Sequence, residues 1–263
     1  MNRIDKKFQE LKEKNEKALI VFITPGCPNL EITEELVLSM EKSGADIVEL
    51  GVPYSDPIAD GKVIESSSQL ARENGVKTRT VMEMASGIRS KSEVPLVLLV
   101  YFNSIFAFGS EKFLKLASES GVDGIIIPDL PLEEREDIIE ECNEYGVNFI
   151  PLVTPTSKDR IKEIASGGGG FIYCVSVAGV TGERKEFSAD ITDYMKSVAE
   201  VTEVPRAIGF GISSPEMASK YKELSEGIIV GSAIVRRTLE DKSNDEIIED
   251  VSSFVKSLKD AIR

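Results

Sequence analysis

The sequence predicts an α/β fold, a single (β/α)8 TIM barrel over residues 1–263 with an extra N-terminal helix, and three observations carry that expectation. The chain has 263 residues, close to the ~250 of one such barrel. Eight short apolar runs recur along it, each followed by a polar amphipathic stretch. Alternation of this kind specifies parallel strands joined by helical crossovers. No Gly-x-Gly-x-x-Gly follows the first run, so an open doubly wound sheet, usually of about five or six strands, fits less well.

The elements follow in order. Ile4, Phe8 and Leu11 lie at helical spacing, which predicts a helix placed to close one end of the barrel. The eight strand candidates are Leu19 to Ile23, Ile47 to Leu50, Leu96 to Tyr101, Gly124 to Ile127, Phe149 to Val153, Phe171 to Val175, Ala207 to Phe210, and Ile228 to Val230. Runs apolar at consecutive positions fit strands covered on both faces. Between them lie helical segments such as Ile32 to Ser43, Glu111 to Glu119, Glu133 to Tyr145, Lys158 to Ala165 and Pro215 to Leu224, several ending near Gly. Gly167 to Gly170 reads as a short loop.

Composition bounds the chemistry. The apolar fraction is 41% and the charged fraction 29%, as in a folded globular chain. Acidic residues outnumber basic ones by 45 to 31, for a net charge of −14. No basic cluster is dense enough to track a phosphate backbone, so nucleic acid is not an expected partner. The first residues lead into a charged amphipathic segment, and no apolar run approaches the ~18 residues of a membrane span. A cytoplasmic location is expected. Cys27, Cys142 and Cys174 are widely separated and odd in number, which suits packing thiols rather than disulfides or zinc ligands. The absence of histidine removes His-based triads, metal ligands and general bases together. Proton transfer is left to Asp, Glu, Tyr, Lys or Cys, with no metal expected.

Two carboxylates stand out. Glu49 lies inside the run Ile47-Val48-Glu49-Leu50, where an ionised, unpartnered side chain would cost several kcal/mol. Such a group has a raised pKa and suits proton transfer. Strand alternation puts Glu49 on the face of Ile47; if that face is the inner one, the carboxylate sits near the C-terminal end, where barrels place their chemistry. Asp60 follows in a Pro- and Gly-rich loop, and on spacing alone such an Asp is more often a turn former than a catalyst. Tyr101 and Tyr173 read first as core aromatics with satisfied hydroxyls, and Asp129 as a loop or helix-cap residue.

Phe210-Gly211-Ile212-Ser213-Ser214-Pro215 follows the seventh run and opens a helix, and Val230-Gly231-Ser232-Ala233 follows the eighth. Paired at these positions, the loops match the phosphate site that barrels build after strands seven and eight. The loop Val177 to Arg184, with two glycines and mixed charge, has the character of a lid. No lysine lies in any of the eight runs, as a Schiff-base aldolase would want. Carbon–carbon cleavage here would therefore use carboxylates.

These residues resemble the tryptophan synthase alpha subunit family. The likeness rests on Thr24-Pro25-Gly26, the long segment from Glu49 to Gly61, Tyr101-Phe-Asn, Pro128-Asp-Leu-Pro, Gly179-Val-Thr-Gly182, Phe210-Gly-Ile-Ser and Gly231-Ser-Ala-Ile, in order from about Phe22 onward. It implies reversible cleavage of indole-3-glycerol phosphate to indole and glyceraldehyde 3-phosphate, with no cofactor in this chain. It further implies Glu49 as the acid/base at indole C3 and the glycerol hydroxyl, Asp60 at the indole N–H, and Tyr173 in support. Phe22, Ile64, Tyr101, Ile126, Leu152, Thr181 and Phe210 match substrate positions, and Gly182, Gly211, Gly231 and Ser232 the phosphate cradle. An α2β2 complex with a pyridoxal-phosphate beta subunit is implied as well, with Pro53, Asp56 and the Asp129 loop in its contact region. Val177 departs from the pattern, standing where some members carry arginine. Two other readings compete: another phosphate-binding barrel enzyme, and a non-catalytic activator of a partner subunit.

Overall fold

Side-chain alternation along the strands sets the architecture. A computed structural model describes residues 1–176, 190–209 and 211–263. Its strands are β1 (Ala18–Ile23), β2 (Ile47–Gly51), β3 (Leu96–Leu99), β4 (Gly124–Ile126), β5 (Asn148–Phe149), β6 (Leu152–Val153), β7 (Ile172–Val175), β8 (Arg206–Gly209) and β9 (Gly227–Val230). All neighbours are parallel, in the order β5-β4-β3-β2-β1-β9-β8-β7-β6. The fifth apolar run, expected as one strand from Phe149 to Val153, is divided into β5 and β6. Pro151 sits at the break and has no N–H to give to a ladder.

The ring still closes through this segment. Ile150 N donates to Ile125 O at 2.9 Å on one side, while Phe149 O and Pro151 O accept from Gly169 N and Tyr173 N on the other, both at 2.9 Å. The eight runs thus form the eight staves of a TIM barrel.

Outward positions such as Leu19, Val21, Val48, Leu50, Leu98, Ile125, Cys174 and Ile208 pack under the helices. Inward positions Ile20, Ile47, Val97, Ile126, Ile150, Phe171, Ala207 and Ile229 form a separate interior core. The N-terminal helix Arg3–Glu13 buries Ile4, Phe8 and Leu11 against that interior, with the Phe8 and Phe171 rings 5.9 Å apart. It therefore plugs one end, as its spacing predicts. Asn2 caps it, accepting from Ile4 N at 2.9 Å.

Several expected helices have a tighter first or last turn. Glu136–Tyr145 is preceded by a 3-10 turn at Leu132–Glu134, Ile161–Ala165 by one at Pro155–Arg160, and Pro215–Tyr221 is followed by one at Lys222–Leu224. Leu30–Lys42 and Ser110–Glu119 match their predicted spans closely. No helix among the described residues is long and apolar enough to cross a membrane.

Candidate active site

Parallel register lays Phe22 beside Glu49 and Glu49 beside Val97, so the Glu49 carboxylate enters the barrel from β2 with the inward residues of β1 and β3 on either hand. Above the interior core these side chains open into a cavity. Its lining includes Phe22, Glu49, Asp60, Ile64, Leu152, Tyr173, Gly211, Gly231 and Ser232, all expected from the sequence, and also Ala59, Leu99, Pro128, Ile212 and Ile229. Leu99 and Ile229 were foreseeable: Leu99 is in inward phase with Val97, and Ile229 pairs in register with the inward Ile20 of β1.

Glu49 is 1% exposed, and its Oε1 has no hydrogen-bond partner among the described residues. Burial pushes its carboxyl up to about 8, because an apolar surround disfavours the charged form. Asp60 ends the loop that follows β2. Burial raises it to about 6; hydrogen bonding from the Tyr101 hydroxyl opposes that rise and the charge of Glu65 adds to it. Two carboxyls on one cavity are thus held at different pKa values, the usual mark of an acid and a base with separate duties.

Tyr173 reaches the cavity from β7. Burial, with the nearby charges of Glu49 and Asp60, drives its phenol well above the usual range, so it stays a neutral hydroxyl. Two inward glycines make room for the aromatic walls. A Cβ at Gly209 would lie 2.8 Å from Tyr173 Oη, and one at Gly51 would lie 2.4 Å from Phe22 Cζ.

The glycine loops end differently. After β8, Gly211 adopts φ +88° and Ser214 caps the helix Pro215–Tyr221, accepting from Met217 N. After β9, Gly231 leads into the helix Ser232–Thr238 with no side-chain cap. Among the described residues no side chain caps its first N–H groups, which suits a ligand held beside Gly231 and Ser232.

Other expected site residues sit elsewhere. Tyr101 is buried beside Asp60, off the cavity lining, and Ile126 lies in the interior core below. Asp129 accepts from Phe102 N at 2.8 Å, capping the helix Phe102–Phe108 from a neighbouring loop. Asp56 is exposed and accepts from the Ser55 hydroxyl. Thr181, Gly182, Phe210 and Val177 lie outside the described residues. Among the described residues no cluster is arranged to hold a metal ion. The three cysteines are free and buried.

The profile of the family described as Tryptophan synthase alpha chain matches residues 8–263. A tryptophan synthase alpha chain from Thermoanaerobacter sp. (strain X514) is 56% identical over 262 residues, covering 100% of both chains. Among solved structures, tryptophan synthase subunit alpha from Legionella pneumophila str. Paris superposes with a TM-score of 0.92 at 33% identity, covering 100% of this chain and 98% of its own. A structure of the tryptophan synthase α2β2 complex from Pyrococcus furiosus matches with a TM-score of 0.85 at 35% identity, covering 92% of this chain and 98% of the other. On the profile, the full-length identity and the shared barrel together, the chain belongs to the tryptophan synthase alpha chain family.

Proposed function

We propose that Glu49 and Asp60 carry out the family's reaction in this chain, the reversible retro-aldol cleavage of indole-3-glycerol phosphate to indole and glyceraldehyde 3-phosphate. One observation carries the assignment to these residues: Glu49 and Asp60 are buried carboxyls that line one largely apolar cavity, and burial pushes them up to about 8 and to about 6. At neutral pH the first is an acid and the second a base.

Glu49 delivers its proton to indole C3, converting the ring to an indolenine. Asp60 accepts the hydrogen bond of the indole N–H as positive charge develops there. Glu49, now a carboxylate, takes the proton of the glycerol hydroxyl; the C–C bond breaks, its electron pair returns to the ring, and Glu49 is again an acid. Tyr173 is a neutral donor beside these carboxyls. Phe22, Ile64, Leu99, Leu152 and Ile229 offer walls for a flat apolar ring, and a dry wall strengthens each electrostatic contact. Gly211 in the loop after β8, with Gly231 and Ser232 at the start of Ser232–Thr238, suits the phosphate through backbone N–H groups. Thr181, Gly182 and Phe210 belong to the same reading on family grounds.

The pH profile of kcat/KM for indole formation tests it. Limbs near 6 and 8 are expected, with the acidic limb lost in Asp60→Asn. A flat profile, or an Asp60→Asn enzyme with wild-type turnover, would count against the pair.

The proposal extends to a cytoplasmic chain, acting as one barrel domain over 1–263, that passes indole to a pyridoxal-phosphate beta chain in an α2β2 complex. Support comes from the mouth of the barrel, where Ile58 and Phe106 are each 73% exposed in the loop after β2 and the helix after β3, near Pro53, Asp56 and Asp129. Indole production titrated with a beta chain checks the coupling.

A further inference from the structure

The loop that delivers Asp60 is exposed from Ser55 to Ile58 except at half-buried Pro57, yet its last residue is buried. Something must hold the end of such a loop, and two anchors do so. At its start, Ser68 of the helix Lys62–Glu73 clamps Tyr54 on both sides, accepting from Tyr54 N at 2.9 Å and donating to Tyr54 O at 3.1 Å. At its end, Ala59 N donates to Tyr101 Oη at 3.1 Å. The two anchors are joined, because the Tyr54 and Tyr101 rings stack with centroids 4.8 Å apart and planes 16° from parallel.

Tyr101 itself is packed in place. It is 2% exposed and immediately precedes the helix Phe102–Phe108, whose first N–H is held by Asp129. Its hydroxyl has accepted from Ala59 N and has one proton left to give. The neighbouring acceptor is the Asp60 carboxyl.

We infer that Tyr101 is a positioning residue, fixing the loop end at Ala59 and turning the Asp60 carboxyl toward the cavity, with Tyr54 and Ser68 holding Tyr101 in place. The side chain serves the reaction from behind Asp60 rather than by lying against the substrate ring. This rests on the assignment of Asp60 to the reaction.

Replacing Tyr101 by Phe keeps the stacked ring and removes only the hydroxyl. The expected result is a kcat about tenfold lower with KM changed by less than about twofold, since a misplaced group costs turnover before it costs binding. The acidic limb of kcat/KM should also move to higher pH, because the lost donor favoured the ionised Asp60. The other titratable groups facing the pair, Glu65, Asp129 and Tyr173, are untouched by the change. Ser68→Ala, which leaves Tyr101 intact, should shift both readouts the same way by a smaller factor. An unmoved limb, or a loss carried by KM with kcat retained within about twofold, overturns the inference. Asp60→Asn run in parallel separates the two failures: if it keeps wild-type kcat, the Asp60 assignment falls, whereas an inactive Asp60→Asn beside an unaffected Tyr101→Phe removes only the role of Tyr101.

Discussion

Asp46, just before β2, and Glu49, three residues further on in the middle of that strand, are both buried, and their surroundings are opposite. At the foot of β2, Asp46 accepts from Leu19 N at 2.8 Å and from Lys259 Nζ at 2.7 Å, and Lys259 also donates to Lys17 O at 2.9 Å. Asp123 at the foot of β4 is held likewise by Leu96 N, Arg89 and Arg3. Toward the head of β2, Glu49 Oε1 has no partner among the described residues. Satisfied carboxylates stitch the N-terminal end together, whereas the unsatisfied one stores a proton where the cavity opens. Burial alone, then, does not mark a functional carboxylate; Glu49 is set apart by an unpartnered oxygen that opens on the cavity.

The sharpest way to break that contrast is to neutralise each end. Glu49→Gln should lower indole formation by about 10²- to 10⁴-fold, the range for loss of a general acid. The folded state should be as stable as before, or more so at alkaline pH. Lys259→Met should do the converse: Asp46 is left buried without its cation, at a cost of about 3–5 kcal/mol in denaturant unfolding, while the folded fraction turns over normally. Loss of both properties in either variant would show that the two ends are not independent.

A pH series sharpens the same contrast. The Glu49 pKa is raised on folding, from 4.5 to about 8. Its contribution to stability is therefore fully present below 4.5 and is lost as pH rises through about 8. Between these values wild type should lose stability relative to Glu49→Gln by up to about 1.4 kcal/mol per pH unit. Equal slopes for the two proteins would mean that Glu49 is ionised, and partnered, in the folded chain.

The two ends also differ in how far the sequence discloses them. Consecutive apolar runs reveal the staves, and the spacing of Ile4, Phe8 and Leu11 reveals the plug, because both signals come from burial of one continuous face. Glu49 is legible for the same reason, being the exception in such a run. Asp60 is legible only through the family resemblance of the Glu49 to Gly61 segment: its loop chemistry is that of an ordinary turn, and the fold is what brings it beside Tyr101 and into the cavity. Pro151 divides a stave that hydropathy reads as unbroken, since apolarity reports burial and not the missing N–H. The reading of Tyr101 as a core aromatic with a satisfied hydroxyl describes its burial correctly, but the identity of its partners depends on contacts distant in sequence.

The smallest effect concerns the aromatic wall rather than the charges. Gly209→Ala would bring a methyl to 2.8 Å from Tyr173 Oη and 3.0 Å from the ring carbons Cε1 and Cζ. Contacts that close cannot coexist with the ring in place, so the ring must tilt toward the cavity it lines or β8 must shift, at about 1–3 kcal/mol. Tilting moves the hydroxyl relative to Glu49 without altering either carboxyl's burial. Turnover should therefore drop while the limbs of the pH profile stay in place, a pattern opposite to that of Tyr101→Phe. If instead Gly209→Ala moved the alkaline limb, Tyr173 would be setting the protonation of Glu49, and the unpartnered state of that carboxylate would belong to the aromatic wall rather than to the strand that carries it.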